Sequence, residues 1–506
     1  MTSRDVLRRL VAPLLVPSIP WAASGGFDAA RPVLDEALAL GVGGILLEGG
    51  EQGAVRALVK ELQRQAPHPL LIGAQLDRGA GQRIAGGTPL PPLAALAALG
   101  DLEACRRAAR LTAREARTMG INWILGPACD LAVRDRNPVV GTATFGREPR
   151  QVAPFIAGWI EACQGEGVLA CARHFPGVGR GDADPLLAPL TIEASGDALK
   201  ELDLPPFRSA IGAGVASVLV GPAAYPALDP SGLPAARSRE VVQWLLRQQL
   251  KYDQLVVAGP ATQQALRVPV GDDGDAPLAP AAVVVEAVRA GCDLVLEPGP
   301  LTAAVEALVE ALEAGGLDRV HLERAHRRRL KWAQWAAPPN EWRRPSGADT
   351  AWGGLVADRA VRVDHGPLPS LGVVTEVVVV DDDAAVPGEH PDRQQLVAAL
   401  RVAGHDARVG DGPTPASGGP LVVALFADYL PAKGRCQPLE RTVARVAALQ
   451  QGTAAARRPL ILVALGDPRF AQQVVERLPA PPPTLVAWSG DRGMQQAAAR
   501  ALLRTR

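Results

Sequence analysis

The hydrophobic pattern alternates between short apolar runs and longer helical stretches over roughly the first 335 residues. Runs that are almost entirely apolar are typical of parallel strands covered on both faces. Stretches such as Ala29–Leu40 and Leu102–Met119, which separate the runs, have the spacing of amphipathic helices. The pattern predicts eight strands: Ala12–Val16, Gly44–Leu47, Leu70–Ala74, Trp123–Leu125, Val168–Cys171, Ser217–Val220, Leu255–Val257 and Asp293–Leu296.

The number of strands distinguishes two α/β folds. Strands that alternate with helices can form a doubly wound open sheet or a closed (β/α)₈ barrel. Eight strands, each followed by helix-capable sequence, favour the TIM-like (β/α)₈ barrel. We therefore expect the first and eighth runs to pair with each other, because the barrel closes between its first and last strands.

A second, smaller domain is predicted after a proline-containing break. Ala336, Ala337, Pro338 and Pro339 begin a polar segment that extends to about Asp349. We expect a barrel over residues 1–335, a linker over 336–349 and an α/β sandwich domain over 350–506. The expected strands and helices of that domain are Glu376–Val380, Asp392–Ala403, Leu421–Phe426, Leu439–Gln450, Leu460–Leu465, Thr484–Trp488 and Met494–Leu503.

Charge and cysteine content exclude several function classes. Lys and Arg together number 53, as do Asp and Glu, so no basic excess favours nucleic acid or an anionic membrane as a partner. The six cysteines lack zinc-ligand spacing, and no cofactor is expected. Basic residues before the apolar run Leu10–Ala23 resemble a secretory signal, but Pro13, Pro17 and Pro20 interrupt it. The same run supplies the first strand, and we expect a cytoplasmic protein.

A five-residue motif lies just after the fifth predicted strand. The sequence Arg173-His174-Phe175-Pro176-Gly177 is similar to the Lys-His-Phe-Pro-Gly signature of the β-N-acetylglucosaminidases of glycoside hydrolase family 3. Other segments resemble that family in the same order along nearly the whole chain, including Asn137–Gly141, Tyr225–Pro230, Ala290–Asp293 and Leu465–Pro468. The resemblance implies a (β/α)₈ barrel followed by the second domain of the two-domain members.

The catalytic positions depart from the resembled family. A retaining glycosidase needs a carboxylate nucleophile and a group that first donates and then accepts a proton. In the family the nucleophile is an Asp that follows the seventh strand, where this chain has Gly259. The acid/base is a His two residues after an Asp; here Asp184 remains, but Leu186 occupies the His position. Neither Gly259 nor Leu186 can perform the chemistry.

The resemblance also implies which ligand-binding residues persist. Arg173 (in place of Lys), His174 and Asp130 are retained in kind and are expected to bind a ligand. Alternatively, His174 only braces the Phe-Pro-Gly turn, and Asp184 is a solvated loop carboxylate. Other sugar-binding positions of the family are replaced by Gln75, Ala80, Ala143 and Pro222.

Three functions remain open from the sequence. The first is a pseudo-enzyme of β-N-acetylhexosaminidase ancestry, which binds a sugar, a peptidoglycan fragment or a protein partner without cleaving it. The second is an active O-glycosyl hydrolase that uses relocated carboxylates such as Asp77, Asp182 or Asp184. The third is a structural subunit. The first and third are favoured over the second, because loss of a nucleophile removes orders of magnitude of rate.

Overall fold

The computed structural model describes residues 3–269, 276–336, 344–386, 390–412, 419–430 and 432–504. The chain divides into two compact units. The first unit consists of Met1–Thr88, Cys105–Val133 and Phe145–Pro345. The second unit consists of Pro89–Ala104, Arg134–Thr144 and Ser346–Arg506, so that two segments from the predicted barrel range group with the C-terminal residues.

The first unit contains the predicted barrel, and its sheet closes. Leu15 pairs with Val295 and Val16 with Leu296, as expected for the first and eighth strands. The first strand is split at Pro17, which has no backbone N–H to donate to a neighbouring strand. All pairs in this sheet are parallel, and its strands are Leu15–Val16 with Ser18–Ile19, Gly44–Leu47, Leu71–Ala74, Trp123–Ile124, Leu169–Phe175, Ser217–Val220, Leu255–Ala258 and Leu294–Leu296.

Two strand boundaries differ from the prediction in ways that matter for the site. Ala12–Leu14, predicted as strand, forms a 3-10 helix, with Pro13 in its first turn. The fifth strand is longer than predicted and extends to Phe175. Arg173 and His174 therefore belong to a strand end rather than to the following loop, and the barrel fixes their positions.

Apolar side chains fill the barrel, and a buried side-chain hydrogen bond links two of its strands. The Trp123 indole Nε1 donates to Ser217 Oγ at 2.9 Å, which joins the fourth and sixth strands. Trp332 packs into the same apolar cluster. The helices of this unit are Ser3–Val11, Arg31–Leu40, Gln52–Gln65, Leu102–Thr118, Pro149–Gly165, Gly196–Ala198, Leu204–Gly212, Pro280–Ala290, Leu301–Glu313 and Arg319–Trp335, with π-helical Leu199–Asp203 and Glu240–Gln249.

Two further short strands of the first unit, Gly50–Glu51 and Ile84–Ala85, pair with each other outside the barrel sheet. Short 3-10 helices lie in the connections at Asp28–Ala30, Ala80–Gln82, Ala235–Arg237 and Gln264–Arg267. The last of these follows the seventh strand and contacts the candidate site.

The second unit is built on a six-stranded sheet with helices packed on two apolar clusters. In spatial order its strands are Arg362–Asp364, Thr484–Val486, Leu460–Gly466, Leu421–Ala427, Val374–Asp381 and Asp406–Val409. Only the first pair is antiparallel. The helices are Leu93–Ala98, Gly347–Ala360, Gln395–Val402, Glu440–Ala455, Pro468–Val475 and Arg492–Leu503, and a 3-10 turn occupies Gly141–Ala143.

Several elements of this unit were not predicted, including its two edge strands and the helices Gly347–Ala360 and Pro468–Val475. The two edge strands, Arg362–Asp364 and Asp406–Val409, are short and mostly exposed, so they lack the apolar run that marks the central strands. The helix Gly347–Ala360 begins inside the segment predicted as linker. Ser346 and Asp349 form a capping box at its start, which stabilises a helix end at that point.

Across the described ranges, none of the helices is both long and apolar enough to cross a membrane.

Candidate active site at the barrel mouth

A buried ion pair joins the third and fifth strand ends. Arg173 Nη1 and Nη2 donate to Asp77 Oδ1 and Oδ2 at 2.9 and 2.8 Å, and Nη1 also contacts the Leu125 carbonyl. Arg173 is 5% exposed and Asp77 3%. Burial opposes the charge of Arg173, but Asp77 outweighs it and holds the pKa of Arg173 above its usual range. Arg173, which was expected from the sequence to bind a ligand, thus binds the Asp77 carboxylate instead.

His174 and Asp130 form a second polar pair at the same end of the barrel. His174 Nδ1 lies 2.8 Å from Asp130 Oδ2, and the Val178 backbone N–H donates to Asp130 Oδ1 at 2.8 Å. Burial alone would raise the pKa of the Asp130 carboxyl; the charge and hydrogen bond of His174 and the backbone donors instead hold it below its usual range. The His174 side chain is 26% exposed, so one edge of the ring remains accessible.

Gly259 immediately follows the seventh strand, as the sequence predicted. A Cβ built on Gly259 would meet its nearest atoms, Val220 O, Leu266 Cδ1 and Gln263 Oε1, at 3.6, 3.8 and 3.9 Å. These are ordinary van der Waals distances. A side chain is therefore sterically acceptable at Gly259, and the glycine is not required by the backbone.

The loop that carries Asp184 is fixed to the segment after the seventh strand. Asp184 is 6% exposed, and its Oδ1 accepts the Leu186 backbone N–H at 2.9 Å. The Ala265 N–H donates to the Pro185 carbonyl at 3.0 Å. The Leu186 side chain is 41% exposed. Asp184 thus shapes the loop, and the apolar side chain of Leu186, where the resemblance implies a proton donor, is exposed to solvent.

One polar group at the barrel mouth was missed by the sequence analysis. Glu297 follows the eighth strand, and Thr262 Oγ1 donates to its Oε2 at 3.1 Å. Ser18 Oγ, on the first strand, donates to Glu48 Oε1, which follows the second strand. Burial raises the pKa of Glu297, and the negative charge of Glu48 adds to the rise. In the sequence, the signal that could have identified Glu297 is its position directly after the predicted strand Asp293–Leu296.

No metal-binding group is found within the described residues: no three His, Cys, Asp or Glu side chains lie close enough together to hold an ion. All six cysteines are free thiols. The site therefore consists of two ion-paired groups, Arg173–Asp77 and His174–Asp130, the carboxylates Glu48 and Glu297, and Gly259, where the resemblance implies a nucleophile.

The architecture, a (β/α)₈ barrel with polar groups at the carboxyl ends of its strands, is that of many barrel enzymes. The family model described as "Glycosyl hydrolase family 3 N terminal domain" matches residues 23–331. The chain belongs to this family, as its motifs indicated.

The relatives that the chain resembles bear the names of glycosidases. The chain is 36% identical over 270 residues to "Beta-N-acetylglucosaminidase/beta-glucosidase" of Cellulomonas fimi, a match that covers 51% of this chain and less than half (46%) of the relative. It is 30% identical over 270 residues to "Beta-hexosaminidase" of Thiobacillus denitrificans, covering 50% and 71%. A solved family 3 β-N-acetylglucosaminidase from Paenibacillus sp. superimposes with a TM-score of 0.79 at 25% identity, covering 100% and 97% of the two chains.

Proposed function

We propose that this protein is a non-hydrolysing member of family 3, of β-N-acetylhexosaminidase ancestry, that binds a carbohydrate or peptidoglycan fragment at the barrel mouth. The observation that carries the proposal is Gly259. The nucleophile position has space for a side chain and yet holds none, so the strand end offers no oxygen to attack an anomeric carbon.

The opposite side of the scissile bond is equally unsuited to catalysis. Leu186 has no transferable proton. Two of the three carboxylates that could have been relocated are engaged elsewhere: Asp77 is bound to Arg173, and Asp184 accepts a backbone N–H of its own loop. This supports the binding function over the alternative of an active O-glycosyl hydrolase that uses these groups.

Binding is supported over a purely structural role by His174. Its Nδ1 is held by a buried carboxylate while one quarter of the side chain is exposed. With Nδ1 held by Asp130, Nε2 is the ring nitrogen that is left to exchange a hydrogen bond with a ligand hydroxyl. The proposal includes a cytoplasmic location, because six free thiols are typical of a reducing compartment. Recovery of the protein in the periplasmic or extracellular fraction would contradict that location.

The test combines turnover and binding. Purified protein should release no chromophore from aryl β-N-acetylglucosaminide, β-glucoside or β-glucosaminide. It should bind amino sugars or muropeptides in calorimetric or NMR titrations, and His174→Ala should weaken that binding while Glu310→Gln, an exposed helical control, should not. Robust turnover by the unmodified chain would refute the proposal; absence of any saccharide binding would favour the structural subunit or a protein partner.

A further inference from the structure

We infer that the amino-terminal end of the barrel strands, opposite the mouth, carries a binding site for a small oxyanion, with the guanidinium of Arg329 as its main donor. His68 and His326 complete the site, and these three residues are referred to below as the Arg329 group. The inference goes beyond the proposed function, because it concerns the other end of the barrel from His174 and Gly259.

The Arg329 group lies where the second and third strands begin. Arg329, on the helix Arg319–Trp335, donates from Nη1 to the carbonyl oxygens of Gly43 and Pro69 at 3.4 and 2.8 Å. Gly43 directly precedes the second strand, and Pro69 lies two residues before the third. The mouth is formed by the carboxyl ends of these strands, so the two contacts fix Arg329 at the opposite end of the barrel.

One edge of the Arg329 guanidinium is buried without an acceptor. Arg329 is 0% exposed, and its Nε and Nη2 meet no hydrogen-bond partner in the described part of the chain. The N–H bonds of Nε and Nη2 on this edge are parallel and match two oxygens of a carboxylate, phosphate or sulfate. An oxyanion would therefore satisfy both donors at once, whereas a single backbone carbonyl could not.

The charge of Arg329 also lacks a counter-ion. Burial lowers the pKa of Arg329 to about 10, and no Asp or Glu of the described ranges counteracts that effect. Arg173, which is also buried, differs in this respect, because Asp77 neutralises it. A buried charge without a counter-ion is strongly unfavourable, so the Arg329 group favours an anion over a neutral ligand.

Two histidines add nitrogens to the same place. His326 precedes Arg329 by three positions on one helix, so the two side chains share a face. The rings of His68 and His326 meet edge to face with centroids 6.3 Å apart, and within the described residues Nδ1 of each ring is buried without a partner. Both residues are partly exposed, so the group is not closed off from solvent.

The histidines also respond to the charge of Arg329. Burial lowers the pKa of both rings, and the positive charge of Arg329 lowers it further. An anion bound to Arg329 offsets that charge, and a protonated ring can then donate from Nδ1 to the anion. The three side chains thus form a site whose members all gain from the same ligand.

The experiment compares thermal unfolding of the full-length protein in sodium phosphate, sulfate, acetate and chloride at matched pH and ionic strength. Phosphate or sulfate should raise the melting temperature by about 2–4 °C over chloride, with saturation, because the ligand binds only the folded state. A similar rise in acetate would extend the ligand class to carboxylates. Arg329→Gln should remove the difference between the salts, and Arg327→Gln, an exposed arginine of the same helix, should keep it.

Nuclear magnetic resonance of the histidine rings supplies a measurement that needs no Arg329 variant. The chain has seven histidines, and the signals of His68 and His326 can be assigned from their loss in His68→Gln and His326→Gln. Both signals should move on titration of the unmodified protein with phosphate. The signal of His365, an exposed histidine of the second unit, should stay in place.

Three outcomes would overturn the inference. A melting temperature equal in all four salts would mean that no oxyanion binds. A difference that persists undiminished in folded Arg329→Gln would reduce it to a general salt effect or assign it to another site. Signals of His68 and His326 that do not move with phosphate would exclude the Arg329 group. No saccharide enters these measurements, so their failure and that of the proposed function are distinguishable.

Discussion

Arg173 and Asp77 form a two-fold hydrogen-bonded ion pair, with nitrogen–oxygen distances of 2.9 and 2.8 Å, that joins the fifth and third barrel strands across the end of the fourth. The pair converts two residues that the sequence associated with ligand binding and catalysis into a structural connection at the mouth. Because both side chains are buried, each charge is stabilised mainly by the other, and loss of one would leave the other unpaired.

The dependence predicts that Asp77→Ala destabilises the protein strongly. Removal of the carboxylate leaves a buried guanidinium without its counter-ion, which costs about 3–5 kcal/mol. Urea denaturation followed by circular dichroism should show this loss. Glu323→Ala, which breaks an exposed Arg319–Glu323 pair, is the control and should change the free energy of unfolding by less than about 1 kcal/mol. A similar small effect for Asp77→Ala would contradict the structural role of the pair.

Gly259 should tolerate side chains. Gly259→Ala and Gly259→Asp are expected to change the free energy of unfolding by no more than about 1 kcal/mol, because the Cβ meets only ordinary contacts. Gly43→Ala is the matched control: its Cβ would lie 1.9 Å from the Pro13 carbonyl oxygen and should prevent normal folding. A strongly destabilised Gly259→Ala would show that the glycine is required structurally.

Restoring one catalytic group should not restore catalysis. Gly259→Asp supplies a nucleophile, but Leu186 still offers no proton to the leaving group, so release from aryl N-acetylglucosaminides should stay at the blank rate. The double variant with Leu186→His should recover at most a trace, since Ala80 and Ala143 no longer orient the sugar. Substantial turnover by Gly259→Asp alone would mean that a proton donor exists elsewhere in the mouth.

Stability should fall in mild acid because of His68 and His326. Burial lowers the pKa of each ring below its usual range, and the charge of Arg329 lowers both further. Each histidine thus stays neutral in the folded state at a pH where the unfolded chain takes up a proton. The contribution is fully present above the unfolded pKa of about 6.5 and is lost as the pH falls through it toward the lower folded values.

The measurement is the free energy of unfolding at pH 7.5 and pH 5.5. The difference should shrink in His326→Gln and persist in His365→Asn, which changes an exposed histidine. An unchanged pH dependence in His326→Gln would assign the acid sensitivity to other groups.

In the second unit, Tyr429 should hold the segment Arg134–Thr144. The Tyr429 hydroxyl donates to the Asp135 carbonyl at 2.9 Å, and the Gly141 Cβ position lies 3.0 Å from Tyr429 Cβ. Tyr429→Phe should cost about 1 kcal/mol and increase amide hydrogen exchange around Asp135. Tyr252→Phe, in the first unit, serves as the comparison and should leave that exchange unchanged. Equal exchange in Tyr429→Phe and the unmodified protein would contradict this role.

The fold could be predicted from the sequence because each barrel strand is marked by its own apolar run, and the run recurs eight times. Runs such as Ser217–Val220 are apolar throughout, as strands buried on both faces must be, and their number was enough to select a closed barrel. The family motif is also visible in the sequence residue by residue, and the proposal that Gly259 and Leu186 replace catalytic groups rests on that alignment. The edge strand Arg362–Asp364 escaped prediction because exposure removes the apolar signal.

Only the tertiary structure decided which polar groups meet. Arg173 and Asp77 are 96 positions apart in the chain, and nothing in either neighbourhood indicates that they bind each other. Glu48 and Glu297 come together only because the barrel closes between its first and last strands. The hydrophobic pattern of a strand reflects the burial of that segment alone, so it can be recognised in the sequence. The partner of a charged side chain depends on distances across the closed barrel, and no single segment of the sequence encodes those distances.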